Sequence, residues 1–168
     1  MKKQLLLNIL LSFFIIIFDQ LTKVFAGNYL TNNTINIISN VFSLSYVENK
    51  GVAFGLFSGR NVGIIIVTLL ISILVIKLFL NALKLKEYKL CTLFSMIFAG
   101  FLGNFIDRIR LGYVVDFISL DIINFPVFNI ADIFITVPSL IIMIFVFKLS
   151  ETEFSAIFSL KGGKNEKK

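Results

Sequence analysis

The chain has 168 residues, of which 57% are hydrophobic, and it carries a net charge of +6 and no histidine. A soluble domain is usually about 45–50% apolar, and a chain this short has too small an interior to bury the excess. The absence of histidine excludes Ser-His and Cys-His nucleophile pairs and histidine-bound metal sites. We therefore predict an integral membrane protein without a metal or other cofactor.

Four apolar segments are long enough to form helices across a bilayer core of about 30 Å. They cover residues 5–25, 62–80, 90–106 and 130–147. The predicted fold class is therefore integral membrane all-α, with four transmembrane helices. The first segment also resembles a secretory signal peptide with cleavage after Ala26, although Asp19 and Lys23 stand where such a signal is apolar or small.

The stretch between the first two segments has the pattern of a β-strand. Residues 41–46 alternate between apolar and serine side chains, which is the period of a half-buried strand. The apolar members on one face are Phe42, Leu44 and Tyr46. Turn-forming residues at 49–51 precede a second short segment at 52–55. We predict a small external β-ribbon within about 27–61, resting on the membrane surface.

Lysine and arginine are unevenly divided between the two sides that four spans would create. The lysines of the N-terminus, the loop 81–89 and the C-terminal tail outnumber the basic residues of segments 27–61 and 107–129. By the positive-inside rule, both termini are then cytoplasmic. We predict one four-helix domain over residues 1–150 and a polar, mobile cytoplasmic tail over 151–168. The basic residues follow membrane topology and form no basic face with interleaved aromatics, so we expect no nucleic-acid partner.

All five aspartates and one of the five glutamates fall on the predicted outer side. The acidic residues on this side are Asp19, Glu48, Asp107, Asp116, Asp121 and Asp132. Ionisable groups at membrane depth usually face a protein interior or a water-filled site, so aspartates at the outer ends of three helices suggest a shared polar site. Simpler explanations remain for each of them. Asp19 could form a helical pair with Lys23, Asp107 could pair with Arg108 or Arg110 in solvent, and Asp132 could favour a helix N-terminus.

A pair of carboxyl groups is the most economical catalytic machinery that this composition allows. Cys91 is the only cysteine, and it has no histidine to act as its base. Two neighbouring aspartates do not both ionise readily, so their pKa values separate. The ionised carboxylate can take a proton from water, while the protonated one donates to a carbonyl oxygen.

Five sequence blocks resemble the bacterial lipoprotein signal peptidase family, also called signal peptidase II. The blocks are DQLTK at 19–23, NKGVAFG at 49–55, GNFIDR at 103–108, VVDF at 114–117 and FNIAD at 128–132. Each block alone is weak evidence for the family. Five blocks in the expected order, spread over nearly the whole chain, make the resemblance specific. The resemblance also implies that the first segment is a retained helix, because cleavage after Ala26 would remove the first block.

The resemblance implies an aspartic endopeptidase whose catalytic residues are Asp116 and Asp132. Its implied supporting residues are Asp19, Lys23, Asn49, Gly51, Asn104, Arg108 and Asn129. The family removes signal peptides from diacylglyceryl-modified prolipoproteins, cutting before the lipid-modified cysteine. We therefore expect lipid-modified prolipoproteins and membrane lipid as partners of a monomer. The expected location is the bacterial cytoplasmic membrane, with the active site at the outer face.

Two other functions would use the same membrane-embedded scaffold. A small transporter or channel subunit would use the aspartates and arginines as an ion or proton path. The charges argue against this function, because they lie at one interface and not through the middle of the membrane. A membrane anchor or assembly partner would need neither Asp116 nor Asp132.

Overall fold

The structure is a computed structural model, and it describes residues 1–51, 61–123 and 125–158. The helices of this part are α1 (Lys2–Tyr29), α2 (Asn61–Lys84), α3 (Tyr88–Arg110), α4 (Ile130–Val146) and α5 (Glu151–Phe158). The strands are β1 (Ile35–Ile38), β2 (Phe42–Asn49) and β3 (Val114–Leu120), and a short 3-10 helix follows at Asp121–Ile123.

Three of the helices are long and apolar enough to cross a membrane. These are α1, the part Gly63–Lys84 of α2, and α3. All three lie where the sequence predicts spans, so these positions are confirmed. The fourth predicted span is also a helix, but α4 has 17 residues and is about 26 Å long. The total of four spans therefore stays a prediction. Large apolar side chains on α1, α2 and α4 face outward, as expected for surfaces in contact with lipid.

Helix α3 lies at the centre of the bundle because two glycines on it let neighbouring helices approach closely. A Cβ atom at Gly100 would lie 2.5 Å from the backbone oxygen of Ala131 on α4. A Cβ atom at Gly103 would lie 2.5 Å from Oδ2 of Asp19 on α1. Small residues at such crossings are typical of membrane helix packing. The result is that α1 and α4 meet the same end of α3.

The external β element is an antiparallel sheet with strand order β1-β2-β3. The predicted apolar face of β2 is found, since Phe42, Leu44 and Tyr46 pack against an apolar cluster that includes Ala26 and Leu30. The expected exposure of the opposite face is wrong for Ser43, which is also buried. The sheet extends beyond the predicted boundaries, because β3 comes from residues 114–120 and not from 27–61. The predicted second strand of the ribbon, 52–55, lies outside the described residues.

The pairing of β2 with β3 places a candidate catalytic residue beside the C-terminal end of α1. Leu44 lies opposite Ile118, whereas Val47 lies opposite Asp116, so β2 has one extra residue between these pairs. Such a bulge changes the direction of a strand and often occurs next to an active site. The far end of β2 carries Asn49, whose side chain points back to Asp116.

The tail expected to be mobile begins with a packed helix. Helix α5 buries Ile157 in the apolar cluster formed by α2, α3 and α4. The side-chain amide of Asn81 on α2 donates to the backbone oxygen of Ile157 across 3.0 Å. The expectation of mobility is therefore wrong for the first eight residues of the tail, because Ile157 gives this short helix an apolar anchor. Residues 159–168 lie outside the described part.

Candidate active site

Asp132 is held in place by the start of α4. Asn129 is the N-cap residue of the helix, and its Oδ1 accepts from the backbone N–H of Asp132 across 3.0 Å. In return, Oδ2 of Asp132 accepts from the backbone N–H of Asn129, also across 3.0 Å. This reciprocal capping satisfies two N–H groups that a helix start leaves free. It also fixes one oxygen of the Asp132 carboxylate.

Asp116 lies on β3 and is almost completely buried, with 1% of its surface exposed. Its two oxygens accept from different amides. Asn129 Nδ2 lies 2.6 Å from Oδ1, and Asn49 Nδ2 lies 2.8 Å from Oδ2. Asn129 therefore contacts both candidate catalytic residues, Asp116 with its side chain and Asp132 with its backbone.

Asn104 of α3 completes this amide network. Its Nδ2 donates to Oδ1 of Asp132 across 2.8 Å, and its Oδ1 accepts from Asn129 Nδ2 across 3.0 Å. Both asparagines are buried. Buried amides in one network are fixed in orientation because each donor and acceptor has a partner. The structure thus brings together Asp116, Asp132, Asn104, Asn129 and Asn49, as the sequence predicts.

The surroundings of Asp116 favour its protonated form. Burial is the main cause, and it raises the pKa of Asp116 to about 6. The negative charge of Asp132 acts in the same direction. Hydrogen bonds from Asn49 and Asn129 and the charge of Lys23 oppose this rise in the pKa. Near neutral pH, Asp116 can therefore exchange a proton, as an acid-base catalyst requires.

Lys23 is the centre of a buried ion network next to these amides. Its Nζ lies 2.9 Å from Oδ2 of Asp19 and 3.0 Å from Oδ2 of Asp107, and it donates to Oδ1 of Asn104 across 2.9 Å. The three charged residues of this network are all buried. The alternative in which Asp107 pairs with an arginine in solvent is therefore wrong. The helical pair of Asp19 and Lys23 does form, but as part of the site.

The two acids of this network each hold the residue that precedes a candidate catalytic aspartate. Oδ1 of Asp19 accepts from the backbone N–H of Ala131 across 2.9 Å. Oδ2 of Asp107 accepts from the backbone N–H of Val115 across 3.1 Å. Because Ala131 precedes Asp132 and Val115 precedes Asp116, Lys23 and its two acids set the separation of the pair.

Gln20 and Asp107 also belong to this network, although neither is among the supporting residues that the family resemblance implies. Gln20 Nε2 donates to Oδ1 of Asp107 across 3.0 Å and to the backbone oxygen of Gly103 across 3.2 Å. Both residues lie inside the blocks that carry the family resemblance. Asp107 also follows Asn104 by three, which places the two side chains on one helix face. This spacing agrees with the predicted shared polar site at the ends of three helices.

Gly51 and Arg108 also lie near the candidate aspartates. Gly51 has φ of +75°, a conformation that favours glycine, and its N–H donates to Oδ1 of Asn49 across 2.9 Å. This turn leaves Nδ2 of Asn49 free to bind Asp116. The guanidinium of Arg108 donates to the backbone oxygen of Asn104 across 3.3 Å and interacts electrostatically with Asp132 and Asp116.

The remaining ionisable candidates lie apart from the site. Glu48 forms an exposed pair with Lys50, with 3.5 Å between Nζ and Oε2. Asp121 is exposed and accepts from the hydroxyl of Ser119, which lowers its pKa. Cys91 is buried in the apolar cluster around Leu90 and Phe94. Within the described part of the chain, no group of three or more acidic or cysteine side chains is placed to hold a metal ion.

Comparison with known proteins identifies the family. Residues 11–148 match the family model described as Signal peptidase (SPase) II. The chain belongs to the signal peptidase II family. Lipoprotein signal peptidases of Clostridium novyi and Clostridioides difficile are 41% and 43% identical to it over 84% of this chain, and over 98% and 95% of their own lengths. The protein of Staphylococcus aureus is 36% identical over 84% of this chain and 88% of its own length.

Solved structures agree with this assignment to the signal peptidase II family. A bacterial membrane enzyme determined by the in meso method at 1.9 Å resolution is similar, with a TM-score of 0.77 and 34% identity. The match covers 85% of this chain and 94% of that one. A second such enzyme, at 2.3 Å resolution, has a TM-score of 0.72 and 33% identity over 94% of both chains. The resemblance found in the sequence is therefore confirmed, and the chain is a membrane-embedded protease.

Proposed function

We propose that this protein is an aspartic endopeptidase that removes the signal peptide from diacylglyceryl-modified prolipoproteins, cutting before the lipid-modified cysteine. Asp116 and Asp132 are its catalytic residues, and it uses no metal. Asp19, Lys23, Asn49, Gly51, Asn104, Arg108 and Asn129 support them. Family membership supports the substrate class, and the chemistry of the buried carboxyl groups supports the aspartic mechanism.

The observation that carries the proposal is the position of Asn129 between the two carboxyl groups. It donates to Asp116 with its side chain and to Asp132 with its backbone N–H. The two carboxyl groups that share this neighbour are close enough for the negative charge of Asp132 to raise the pKa of Asp116, although burial is the larger cause. A structural ion pair explains a buried aspartate such as Asp19, but within the described part of the chain neither Asp116 nor Asp132 has an ammonium group within ion-pair distance.

The environments of the two aspartates suggest different roles. Asp132 is only half-buried, and it lies in the first turn of α4, where the helix dipole favours a negative charge. It acts as the base that takes a proton from the attacking water. Asp116, whose proton is retained by burial, donates to the carbonyl oxygen as the tetrahedral intermediate forms. Asp132 then passes the proton that it took from water to the leaving amine as the C–N bond breaks. The hydroxyl formed from the carbonyl oxygen returns its proton to Asp116 as the C=O bond reforms, which restores both carboxyl groups.

The position of the site in the helix bundle suits a substrate with one end in lipid. Asp19 and Asp107 lie near those ends of α1 and α3 that meet the β-sheet. In the proposed topology, α1 to α4 span the cytoplasmic membrane, both termini are cytoplasmic, and the site is at the outer face. A scissile bond next to a diacylglyceryl group would be held at the same interface, since each buried CH₂ of an acyl chain contributes about 0.8 kcal/mol. A monomer contains every residue of this site.

The test is cleavage of a lipid-modified prolipoprotein by the protein purified in detergent. We expect release of the signal peptide and a new N-terminal lipid-modified cysteine, both detected by mass spectrometry. Chelator treatment and Cys91→Ala should leave the rate unchanged. Loss of activity with a chelator, restored by added metal, would contradict the aspartic mechanism. Equal rates for modified and unmodified precursors in the same micelles would contradict the proposed substrate.

A further inference from the structure

The side-chain amide of Gln20 on α1 is half-buried and points at α3. Its Nε2 donates to Oδ1 of Asp107 across 3.0 Å, to the backbone oxygen of Gly103 across 3.2 Å and to Oδ2 of Asp19 across 3.3 Å. Carbonyl and carboxylate oxygens accept hydrogen bonds, so a donor is required at this point between the two helices. Glutamine meets this requirement, whereas an ionised glutamate would not.

The orientation of the Gln20 amide is fixed from both ends. Its Oε1 accepts from Nη1 of Arg110 across 3.2 Å. A guanidinium only donates and a carboxylate only accepts, so exchanging the oxygen and the nitrogen of the amide would lose the contacts with both Arg110 and Asp107. The N–H side of Gln20 therefore faces Asp107.

Gln20 and Lys23 bind different oxygens of the Asp107 carboxylate. They are three residues apart on α1, so they share one face of the helix. Nζ of Lys23 lies 3.0 Å from Oδ2, whereas Gln20 is the only donor to Oδ1 in the described part of the chain. Rotation of a carboxylate about its Cβ–Cγ bond is soft, so a single ammonium group does not fix its plane. A donor on each oxygen does fix it.

The plane of this carboxylate matters because Asp107 also holds β3. Its Oδ2 accepts from the backbone N–H of Val115 across 3.1 Å, and both residues are buried. Val115 directly precedes Asp116. Rotation of the Asp107 carboxylate would release this N–H and free the backbone beside Asp116. A displacement of about 1 Å near a reacting group can lower a rate by about 10²-fold.

We propose that Gln20 is a positioning residue, which orients Asp107 so that Val115 is held and Asp116 is aligned for proton transfer. This inference rests on the proposed function, since it assigns Asp116 to the reaction. The simpler role for Gln20 is a hydrogen bond that joins two membrane helices. Such a role affects stability, but it predicts no specific change in kcat or in its pH dependence.

The experiment compares two variants with the wild-type protein in detergent, on the lipid-modified precursor. Gln20→Met is similar in length and removes the donor at every pH. The carboxyl group introduced by Gln20→Glu donates an O–H only when it is protonated. The charged groups that face this position are Asp19, Lys23, Asp107 and Arg110.

The matched control is Gln4→Glu, which makes the same chemical change about 24 Å away along α1. For each protein, kcat and KM are measured over a range of pH on both sides of the pKa of Asp116. Folding of each variant is checked by thermal unfolding.

We expect Gln20→Met to lower kcat about 10- to 100-fold with little change in KM, since Gln20 acts on the alignment of Asp116 and not on substrate binding. The kcat of Gln20→Glu, divided by that of the wild-type protein, should rise as the pH falls and the O–H donor is restored. Gln4→Glu should match the wild-type protein throughout. A wild-type kcat in Gln20→Met, or a ratio for Gln20→Glu that does not depend on pH, would overturn the proposal.

Amide hydrogen exchange measured by NMR tests the same contact without turnover. Both Gln20→Met and, at high pH, Gln20→Glu should speed the exchange of the Val115 N–H. The N–H of Phe117, which donates to the backbone oxygen of Phe128 across 3.0 Å, should keep its wild-type protection. Unchanged protection at Val115 would contradict the inference, whether or not the protein cleaves the precursor. Faster exchange at Val115 in variants of a protein that cleaves nothing would contradict the proposed function alone.

Discussion

The side-chain amide of Asn129 donates to the carboxylate of Asp116 across 2.6 Å, which joins the start of α4 to the middle of β3. The same asparagine caps α4 and thereby orients Asp132. One residue therefore couples the geometry of the helix start to the geometry of the proposed catalytic pair.

Replacing either candidate catalytic aspartate should remove most of the catalysis. Asp116→Asn and Asp132→Asn are nearly isosteric but remove the acid or base, which commonly lowers rates by factors of about 10² to 10⁴. The double variant should be little worse than the slower single one, because the two residues act as a unit. Asp121→Asn is the control, since Asp121 is exposed and its carboxylate accepts from Ser119 and Ser43, which lie outside the candidate site. The loss of catalysis is measured as the cleavage rate of each folded variant. Substantial turnover by either single variant would show that Asp116 and Asp132 are not a catalytic pair.

The pH dependence of cleavage should reflect the protonation of Asp116. If Asp116 must be protonated, kcat/KM falls as the pH rises through its pKa of about 6. The hydrogen bond from Asn49 lowers this pKa, so Asn49→Ala should move the alkaline decline to higher pH, although the rate at the optimum falls. The measurement is the pH profile of kcat/KM for both proteins. A decline that shifts to lower pH in Asn49→Ala would contradict the role given to Asp116.

Gly103→Ala should destabilise the protein and slow cleavage. The added Cβ would lie 2.5 Å from Oδ2 of Asp19, a buried oxygen that cannot move without leaving Lys23. Overpacking of this kind typically costs about 1–3 kcal/mol. Gly27→Ala is the matched control, because its Cβ would meet nothing closer than 4.0 Å and alanine favours a helix by about 0.5–1 kcal/mol. Thermal unfolding compares the two, and equal stability of both variants would contradict the close contact.

Lys23→Met should be among the most damaging single changes outside the dyad. It leaves Asp19 and Asp107 buried side by side without their ammonium, and breaking a buried pair typically costs about 3–5 kcal/mol. Adding Asp107→Asn to Lys23→Met should restore part of the stability, since it removes one of the uncompensated charges. Lys50→Met, which breaks only the exposed pair with Glu48, is the control and should change stability by at most about 1 kcal/mol. The stability of each variant is measured by thermal unfolding in detergent. A small change in stability for Lys23→Met would mean that the charges of the network are not energetically coupled.

The topology can be tested with single cysteines in a Cys91→Ala background. Lys86 and Asn33 are both exposed and lie on opposite sides of the proposed bilayer. An impermeant thiol reagent added to intact cells should label Asn33→Cys and not Lys86→Cys. After the cells are permeabilised, both variants should react. The opposite pattern in intact cells would reverse the proposed orientation.

The helices were largely predictable because their apolar content exceeds what a small soluble core can hold. The spans needed only a count of consecutive apolar residues, and the capping residue of α4 lies in a recognised block. Strand β3 was missed because residues 114–118 are all buried, so the strand lacks the alternation of a half-exposed strand. Its position also depends on pairing with β2, far away in the sequence. Local patterns do not contain that information.

The candidate catalytic aspartates could be identified from the motif blocks. The network that positions them could not, because its contacts join residues that are far apart in the sequence and are seen only in the structure. Asp107 has arginines next to it in sequence, and these suggested a solvated pair. Its actual partner is Lys23, which lies on another helix. The spacing of residues in the sequence does not indicate that Asp107 and Lys23 meet. The roles of Asp19 and Asp107 as acceptors for Ala131 and Val115 are likewise long-range contacts.

The ion network also implies an order of assembly during biosynthesis. Helix α1 is made first and carries both Asp19 and Lys23, so it enters the membrane with its own charges paired. Asp107 is synthesised later, on α3, when its partner Lys23 is already present on α1. Only then does α4 emerge, and its first turn binds Asp19 through the N–H of Ala131. Asp132 therefore reaches Asp116 only after α4 has been made, so the proposed catalytic pair forms late in membrane insertion.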